Sequence, residues 1–137
     1  MDFPLDLRGA RAYLADGGSV EALTRMALDR AEAASSLHAF LELFPESALA
    51  QARLVDEARA RGQAGPLAGC IISIKDNIAY AGHRVSASSR MLEGYVSPYS
   101  ATVVERLLAA HAVIIGRTNC DEFAMGSSNE NSAFGPV

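Results

Sequence analysis

Lys75 is the residue whose type and position point most directly to chemistry. It ends the apolar run CIISIK at residues 70–75, and the polar residues Asp76 and Asn77 follow it. Because side chains alternate across a strand, Lys75 shares its face with the small Ser73. A run without polar alternation is typical of a strand that is covered on both faces. The sequence therefore predicts a lysine where a buried strand meets a loop, which is where α/β sheets place their working residues.

Two interpretations of this lysine stay open on position alone. In the first, Lys75 is a solvated side chain at a strand end and pairs with Asp76. In the second, the ammonium is desolvated and gives up its proton, so that a neutral amine is available as a base. Position alone favours the solvated lysine, and the second interpretation depends on the rest of the chain.

The first part of the chain is predicted to be helical. The patterns predict a short helix at 6–16, a second one capped by Ser19, a short strand or extended piece at 38–43 and a third helix from Pro45 that stops at Gly62. None of these elements carries a chemical motif, so their predicted role is packing.

A mixed α/β unit is predicted after the turn that precedes Pro66. Thr102 and Glu105 are spaced as a capping box at the start of a helix. The apolar run 113–115 follows and predicts a second buried strand, ending at Gly116. A strand, a helix and a second apolar strand predict parallel pairing with a right-handed crossover. The loops after the two strands would then meet at one edge of the sheet.

One polar stretch precedes the predicted helix, and another follows the second strand. Residues 86–95 are predicted to form an ordered loop, because nearby apolar surface is available to bury, from Met91, Leu92, Tyr95 and Tyr99. In the tail from Asn119, the pair Asp121-Glu122 suggests either paired carboxylates or, the favoured interpretation, acidic residues at a helix start. The sequence around Ser127 lacks the Gly-x-Ser-x-Gly pattern of a nucleophile elbow.

The composition is that of one domain with a hydrophobic core. Half of the 137 residues are hydrophobic, 20% are charged and the net charge is −4, which does not favour a nucleic-acid or anionic-membrane surface. No run approaches the ~18 apolar residues of a membrane span. No secretory signal is evident at the start, and Cys70 and Cys120 are expected to be free thiols. These features predict a cytoplasmic chain without a membrane partner, and no Cys/His cluster has the spacing of a metal site.

The motifs resemble those of the amidase signature family. They cover roughly residues 65 to 137, in the family's order and spacing. They read GPLAG at 65–69, IKDNI at 74–78, PYSATVV at 98–104, IIGRTN at 114–119, DEFAMGSS at 121–128 and ENSAFGP at 130–136. The last two runs are similar to one branch, the A subunits of the tRNA-dependent amidotransferases that act on Glu-tRNA(Gln) or Asp-tRNA(Asn).

The resemblance implies an α/β fold of the amidase-signature type. Helices in residues 1–64 would precede part of a mixed, partly parallel sheet flanked by helices in residues 65–137, together one incomplete amidase domain. It also implies a Ser–cis-Ser–Lys triad in which Lys75 hydrogen-bonds the middle serine. That serine relays protons to and from a nucleophilic serine that attacks the amide of glutamine. Substrate contacts are implied for Met125, Gly126, Ser127 and Ser128.

The activity implied is that of a glutaminase subunit within a carbon–nitrogen ligase of protein biosynthesis. Partner B and C subunits would use ATP and Mg²⁺ and hold most of the misacylated tRNA, so this chain itself would bind no cofactor. The Gly-Ser-rich segment with both triad serines would come beyond Val137. We therefore expect a fragment of a longer protein that is inactive alone, since one member of a catalytic unit is present.

Two other functions compete with this one. A stand-alone amidase of the same family would act on a small amide without any partner. A truncated, non-catalytic product would at most pack on a partner, and it would be the answer if 137 residues were the whole natural chain. Val137 follows Gly135-Pro136 without a helix end or polar tail, which favours the interpretation as a fragment.

Overall fold

The computed structural model describes residue 4 and residues 6–137 of the chain. Four helices and three strands form its regular elements, and short 3-10 turns join them. The helices are α1 (Leu7–Ala15), α2 (Val20–Ala33), α3 (Pro45–Ala60) and α4 (Thr102–Ala109). The strands are β1 (Phe40–Leu43), β2 (Ile71–Lys75) and β3 (Val113–Thr118). The 3-10 turns span Ser35–Leu37, Arg90–Leu92 and Glu122–Ala124.

The sheet is mixed, as predicted. Its strand order is β1-β3-β2, with β3 parallel to β2 and antiparallel to β1. The parallel pair confirms the predicted strand–helix–strand unit. β3 continues to Thr118 rather than ending at Gly116, because Gly116 and Arg117 pair with Leu43 and Glu42 of β1.

Apolar side chains cover both faces of the central strand. On one face Val113 and Ile115 pack in the cluster formed by helices α1, α2 and α3. On the other face Ile114 packs with Phe44, Val104 of α4 and Ile74 of β2. β3 is therefore the doubly covered strand that its apolar run predicts.

β2 differs from its prediction, because only part of it is covered. It lies at the end of the sheet and pairs with β3 alone. Ile71 packs against the helical cluster and Ile74 is buried, but Ser73 and Lys75 are exposed in the described part of the chain. The prediction of a strand buried along its whole length is wrong at these two residues.

The local signals at the first three helices are confirmed. Asp6 and Ser19 cap α1 and α2 by accepting hydrogen bonds from the backbone N–H groups of Gly9 and Ala22, at 2.7 and 3.0 Å. Gly62 follows the end of α3 with a φ of +70°, a left-handed conformation that favours glycine.

The capping box predicted for α4 is wrong. Ala101 occupies the N-cap and Thr102 is already helical, with no side-chain cap. No helix within residues 6–137 combines the length and the apolar character needed to cross a lipid bilayer.

Candidate active site

The carboxyl ends of the two parallel strands meet at one edge of the sheet. Lys75 of β2 lies opposite Thr118 of β3 in the register. The backbone N–H of Asp76 donates to the carbonyl oxygen of Thr118 at 3.0 Å, which continues the pairing one residue beyond the strand. This confirms the prediction that the loops after both strands meet, and it brings Lys75 to the start of the polar tail.

A small cavity of about 230 Å³ lies at this edge. It is lined by Lys75, Asn119, Cys120, Asp121, Ala124, Gly126, Ser127 and Asn129. Of the four loop residues that the resemblance assigns to substrate contact, Gly126 and Ser127 line the cavity with Lys75. Met125, with 82% of its surface exposed, and Ser128 lie outside this lining.

Asp76 is buried and does not act as the partner of Lys75. Its carboxylate forms an ion pair with Arg117 of β3, which also donates through Nε to Glu42 of β1 at 3.0 Å. The same carboxylate accepts the backbone N–H groups of Ser86 and Ser88, at 3.1 and 2.7 Å. The solvated pairing of Lys75 with Asp76 is therefore not the arrangement that the structure contains.

A buried serine loop, Ser86–Ser89, is hydrogen-bonded to residues at this edge of the sheet. Ser86 donates to Asp76, Ser88 to Asn119 at 3.2 Å and Ser89 to Glu122 at 2.6 Å. The burial predicted for the apolar residues after this loop is wrong for Met91, Tyr95 and Tyr99, which are exposed, while Leu92 is half-buried. The loop is held by polar hydrogen bonds, and hydroxyl groups can stay buried when they have such partners.

Asn119 links the strand end to the tail. Its side-chain nitrogen donates to the carbonyl oxygens of His38 and Gly135, at 3.2 and 2.9 Å. Its side-chain oxygen accepts the backbone N–H of Cys120 at 3.0 Å and the hydroxyl of Ser132 at 2.6 Å. Both the oxygen and the nitrogen of the Asn119 amide thus have hydrogen-bond partners, and these bonds hold the polar tail against the end of β3.

Asp121 holds the loop that carries Gly126 and Ser127. Its carboxylate accepts the backbone N–H groups of Asn129 and Asn131, each at 3.0 Å. These hydrogen bonds hold the pKa of Asp121 below its usual value. The expected helix-start role is wrong, because the turn that follows has only three residues and receives no side-chain cap from Asp121.

The cysteines, the metal-ligating side chains and a second cavity give no better candidate site within the described residues. Cys70 and Cys120 are not disulfide-bonded. Among residue 4 and residues 6–137, no three His, Cys, Asp or Glu side chains are grouped to hold a metal ion. A larger cavity of about 510 Å³ borders β1, and its lining includes Glu42, Arg84 and Arg117. Lys75 does not line it, and Glu42 and Arg117 are already paired with each other, so the Lys75 cavity is the better candidate.

The model of the amidase family matches residues 22–137. The chain belongs to the amidase family. This confirms the family inferred from the motifs, and the helices with a mixed three-stranded sheet are the predicted fold class.

Similar curated proteins are named as A subunits of glutamyl-tRNA(Gln) amidotransferases. The one from Bordetella petrii is 58% identical over 119 residues, which is 87% of this chain and 23% of that protein. The one from Cupriavidus necator is 55% identical over 128 residues, which is 93% of this chain and 26% of that protein. The chain thus spans about a quarter of the length of the curated relatives it matches.

Solved amidase structures share the fold. The peptide amidase of Stenotrophomonas maltophilia superimposes with a TM-score of 0.84 at 35% identity, covering 96% of this chain and 29% of that one. Among the glutamyl-tRNA(Gln) amidotransferase A subunits, the one from Thermotoga maritima superimposes with a TM-score of 0.71 at 31% identity, covering 100% of this chain and 28% of that one. The arrangement of helices and strands described above is therefore that of amidase enzymes.

The sequence carries one further signal for Lys75 beyond the motif that contains it. Lys75 is the only lysine of the chain, and every other Lys/Arg-type side chain is an arginine. Arginine stays protonated in proteins, whereas lysine can release its proton. Among the lysine and arginine side chains of this sequence, Lys75 is therefore the one that can supply a neutral amine.

Proposed function

We propose that this chain is the lysine-bearing part of a glutamine-hydrolysing subunit in a tRNA-dependent amidotransferase. The observation that carries the proposal is the cavity that brings Lys75 together with Gly126 and Ser127 at the carboxyl edge of the parallel strands. The relatives named as amidotransferase A subunits, 55–60% identical to this chain, support the same branch.

The proposed reaction converts glutamine and water into glutamate and ammonia. The neutral amine of Lys75 accepts a proton through a relay serine from the nucleophilic serine, whose oxygen then bonds to the side-chain carbonyl carbon of glutamine. The C–N bond breaks, the nitrogen leaves as ammonia with the relayed proton, and water releases glutamate from the serine. By the resemblance to the family, both serines would lie further along the full-length protein. Lys75 therefore acts as the base of a unit that the longer chain completes.

Lys75 must be removed from water before its amine can act as a base. Its side chain is exposed in the described chain, and neutralisation of an amine requires desolvation. The proposed desolvation comes from the rest of the longer protein, which covers the Ser73 and Lys75 face of β2. The strand end is already fixed by the serine loop and by the Asp76–Arg117 ion pair.

The ammonia would pass to a partner subunit that activates the carboxylate of Glu-tRNA(Gln) or Asp-tRNA(Asn). In this proposal the B and C subunits complete the assembly, the partner uses ATP and Mg²⁺, and the misacylated tRNA is held mainly outside this chain. The proposed compartment is the cytoplasm, where tRNA is aminoacylated. A stand-alone amidase is not favoured, because the similar curated proteins carry the amidotransferase name.

The test is made on the full-length protein in its complex. Lys75→Ala and Lys75→Arg should each abolish glutamine hydrolysis while the melting temperature stays near that of the wild type. The arginine variant keeps a positive charge but cannot supply a neutral amine, so it separates a base from a mere cation. Turnover near that of the wild type in either variant would contradict the role given to Lys75.

A further inference from the structure

We propose that Asn129 binds the ligand of the Lys75 cavity, with its side-chain oxygen accepting a hydrogen bond from an N–H of a primary carboxamide. This inference rests on the proposed function, which supplies an amide as substrate. Asn129 lies outside the four residues that the family motifs suggest for substrate contact. It lines the cavity beside Lys75, Gly126 and Ser127.

The side-chain oxygen of Asn129 is a buried acceptor that lacks a hydrogen-bond partner in the described part of the chain. Among the residues that the structure describes, Oδ1 of Asn129 is the one buried side-chain nitrogen or oxygen atom without a hydrogen-bond partner. A buried acceptor without a partner is costly, and native proteins seldom leave one unless it has a use. The residue that carries this oxygen lines the cavity, so a ligand held there lies beside it.

The neighbouring side-chain acceptors in the cavity already have hydrogen-bond partners. Three lining side chains carry a carbonyl or carboxylate oxygen, namely Asn119, Asp121 and Asn129. Asn119 accepts from Cys120 and Ser132, and Asp121 accepts from the backbone of its own loop. Of these three, Asn129 is the one whose side-chain oxygen has no hydrogen-bond partner among the described residues.

The hydrogen-bonding groups of a primary carboxamide match an acceptor at this position. A primary carboxamide presents two N–H donors and one carbonyl acceptor. The ammonium or amine of Lys75 and the hydroxyl of Ser127 can donate, but a bound amide also needs an acceptor for its nitrogen. An ester of the same shape has no N–H at that position. The Asn129 oxygen would therefore favour an amide over the matching ester.

The backbone holds Asn129 in place for this role. Its N–H donates to Oδ2 of Asp121 at 3.0 Å, and its φ is +58°, a left-handed conformation that asparagine and glycine tolerate better than most residues. Asn129→Gly therefore removes the side-chain amide without backbone strain. Asn129→Asp keeps an acceptor oxygen of the same reach.

The experiment compares two substrates in the full-length amidotransferase complex. For each variant, kcat/KM is measured for glutamine and for the γ-methyl ester of glutamate, and their ratio is taken. Loss of one neutral hydrogen bond predicts that Asn129→Gly lowers the glutamine-to-ester ratio about 2- to 10-fold. Asn129→Asp should preserve the ratio better than Asn129→Gly. The matched control Asn131→Gly changes an exposed asparagine two residues along the loop and should leave the ratio unchanged.

The outcomes separate this inference from the proposed function. An unchanged ratio in a folded Asn129→Gly variant overturns the role of Asn129, while glutamine hydrolysis that depends on Lys75 leaves the proposed function standing. A ratio that falls equally in Asn129→Asp and Asn129→Gly also overturns it, because the acceptor was kept in the first. If Asn129→Gly fails to assemble, Asn129→Ala carries the same expectation. A wild-type complex that does not hydrolyse glutamine overturns both proposals.

Discussion

Arg117 and Asp76 form a buried ion pair that ties β3 to the residue directly after Lys75. Arg117 is 7% exposed and Asp76 is 1% exposed, so neither charge has much access to water. Asp76 also accepts the backbone N–H groups of Ser86 and Ser88, and Arg117 reaches Glu42 on β1. One pair of charges thus connects all three strands to the serine loop.

Asp76→Asn should destabilise the protein strongly. The change leaves the Arg117 guanidinium buried without its closest carboxylate, which typically costs about 3–5 kcal/mol. The measurement is the free energy of unfolding in urea, on the full-length protein. Glu42→Gln is the control, because the side chain of Glu42 is 37% exposed and such a pair is worth about 1 kcal/mol or less. Equal losses in the two variants would contradict the special role of the buried pair.

Gly116→Ala should disturb the pairing of β1 with β3. A Cβ at this position would lie 2.5 Å from the carbonyl oxygen of Glu42 and 3.0 Å from Cδ1 of Phe40. Because the first of these atoms belongs to the backbone of the paired strand, we expect a loss of about 1–3 kcal/mol in unfolding free energy.

The control for this variant is Gly17→Asn, at a glycine with open space around it and a left-handed φ of +92° that asparagine tolerates. It should cost less than Gly116→Ala in the same denaturation measurement. A Gly116→Ala protein as stable as the wild type would show that β1 can shift without loss.

Gly126→Ala should lower the activity of the full-length enzyme. A Cβ on Gly126 would lie 2.3 Å from Oδ2 of Asp121, and that carboxylate is fixed by the backbone of Asn129 and Asn131. The loop must move, and a displacement of about 1 Å at a reacting centre can cost up to roughly 100-fold in rate. We expect kcat/KM for glutamine to fall by at least about tenfold. Glu130→Gln, an exposed change in the same loop, should have little effect, and equal kinetics for both variants would contradict the prediction.

His83 should make stability depend on pH. Its ring stacks on Tyr80 at a centroid distance of 4.3 Å and packs tilted against Phe44 at 4.0 Å, and burial lowers its pKa from the usual 6.5. The unfolded chain therefore binds a proton at a higher pH than the folded one. The stability contributed by neutral His83 is present above pH 6.5 and is lost as the pH falls from there through the folded pKa.

The measurement for His83 is the unfolding free energy between pH 7 and pH 5. The variant His83→Phe keeps an aromatic ring but cannot titrate, so its stability should fall less over this range than that of the wild type. His38→Asn is the control at an exposed histidine with a left-handed φ of +50°, and it should keep the wild-type slope. Parallel curves for His83→Phe and the wild type would contradict the assignment.

The sequence by itself determined the elements and the family. Local signals act over a few residues, so Ser19 and Pro45 placed helix starts and the apolar run of β3 placed a covered strand. The parallel pair, and therefore the edge at which Lys75 meets the tail, followed from the order of strand, helix and strand. These features depend on chain-local chemistry and on general rules of sheet topology.

The tertiary structure alone decided which polar groups are buried and with what partners. One of the two open interpretations paired Asp76 with Lys75, but Asp76 pairs with Arg117, which lies 41 residues away in sequence. The serines at 86–89 are buried because their hydroxyl groups donate hydrogen bonds to Asp76, Asn119 and Glu122, which lie in other segments of the chain. The large apolar residues that follow these serines are exposed. Such partners cannot be derived from local periodicity. The exposure of Lys75 likewise depends on whether another element covers that face of β2, which the strand's own residues do not determine.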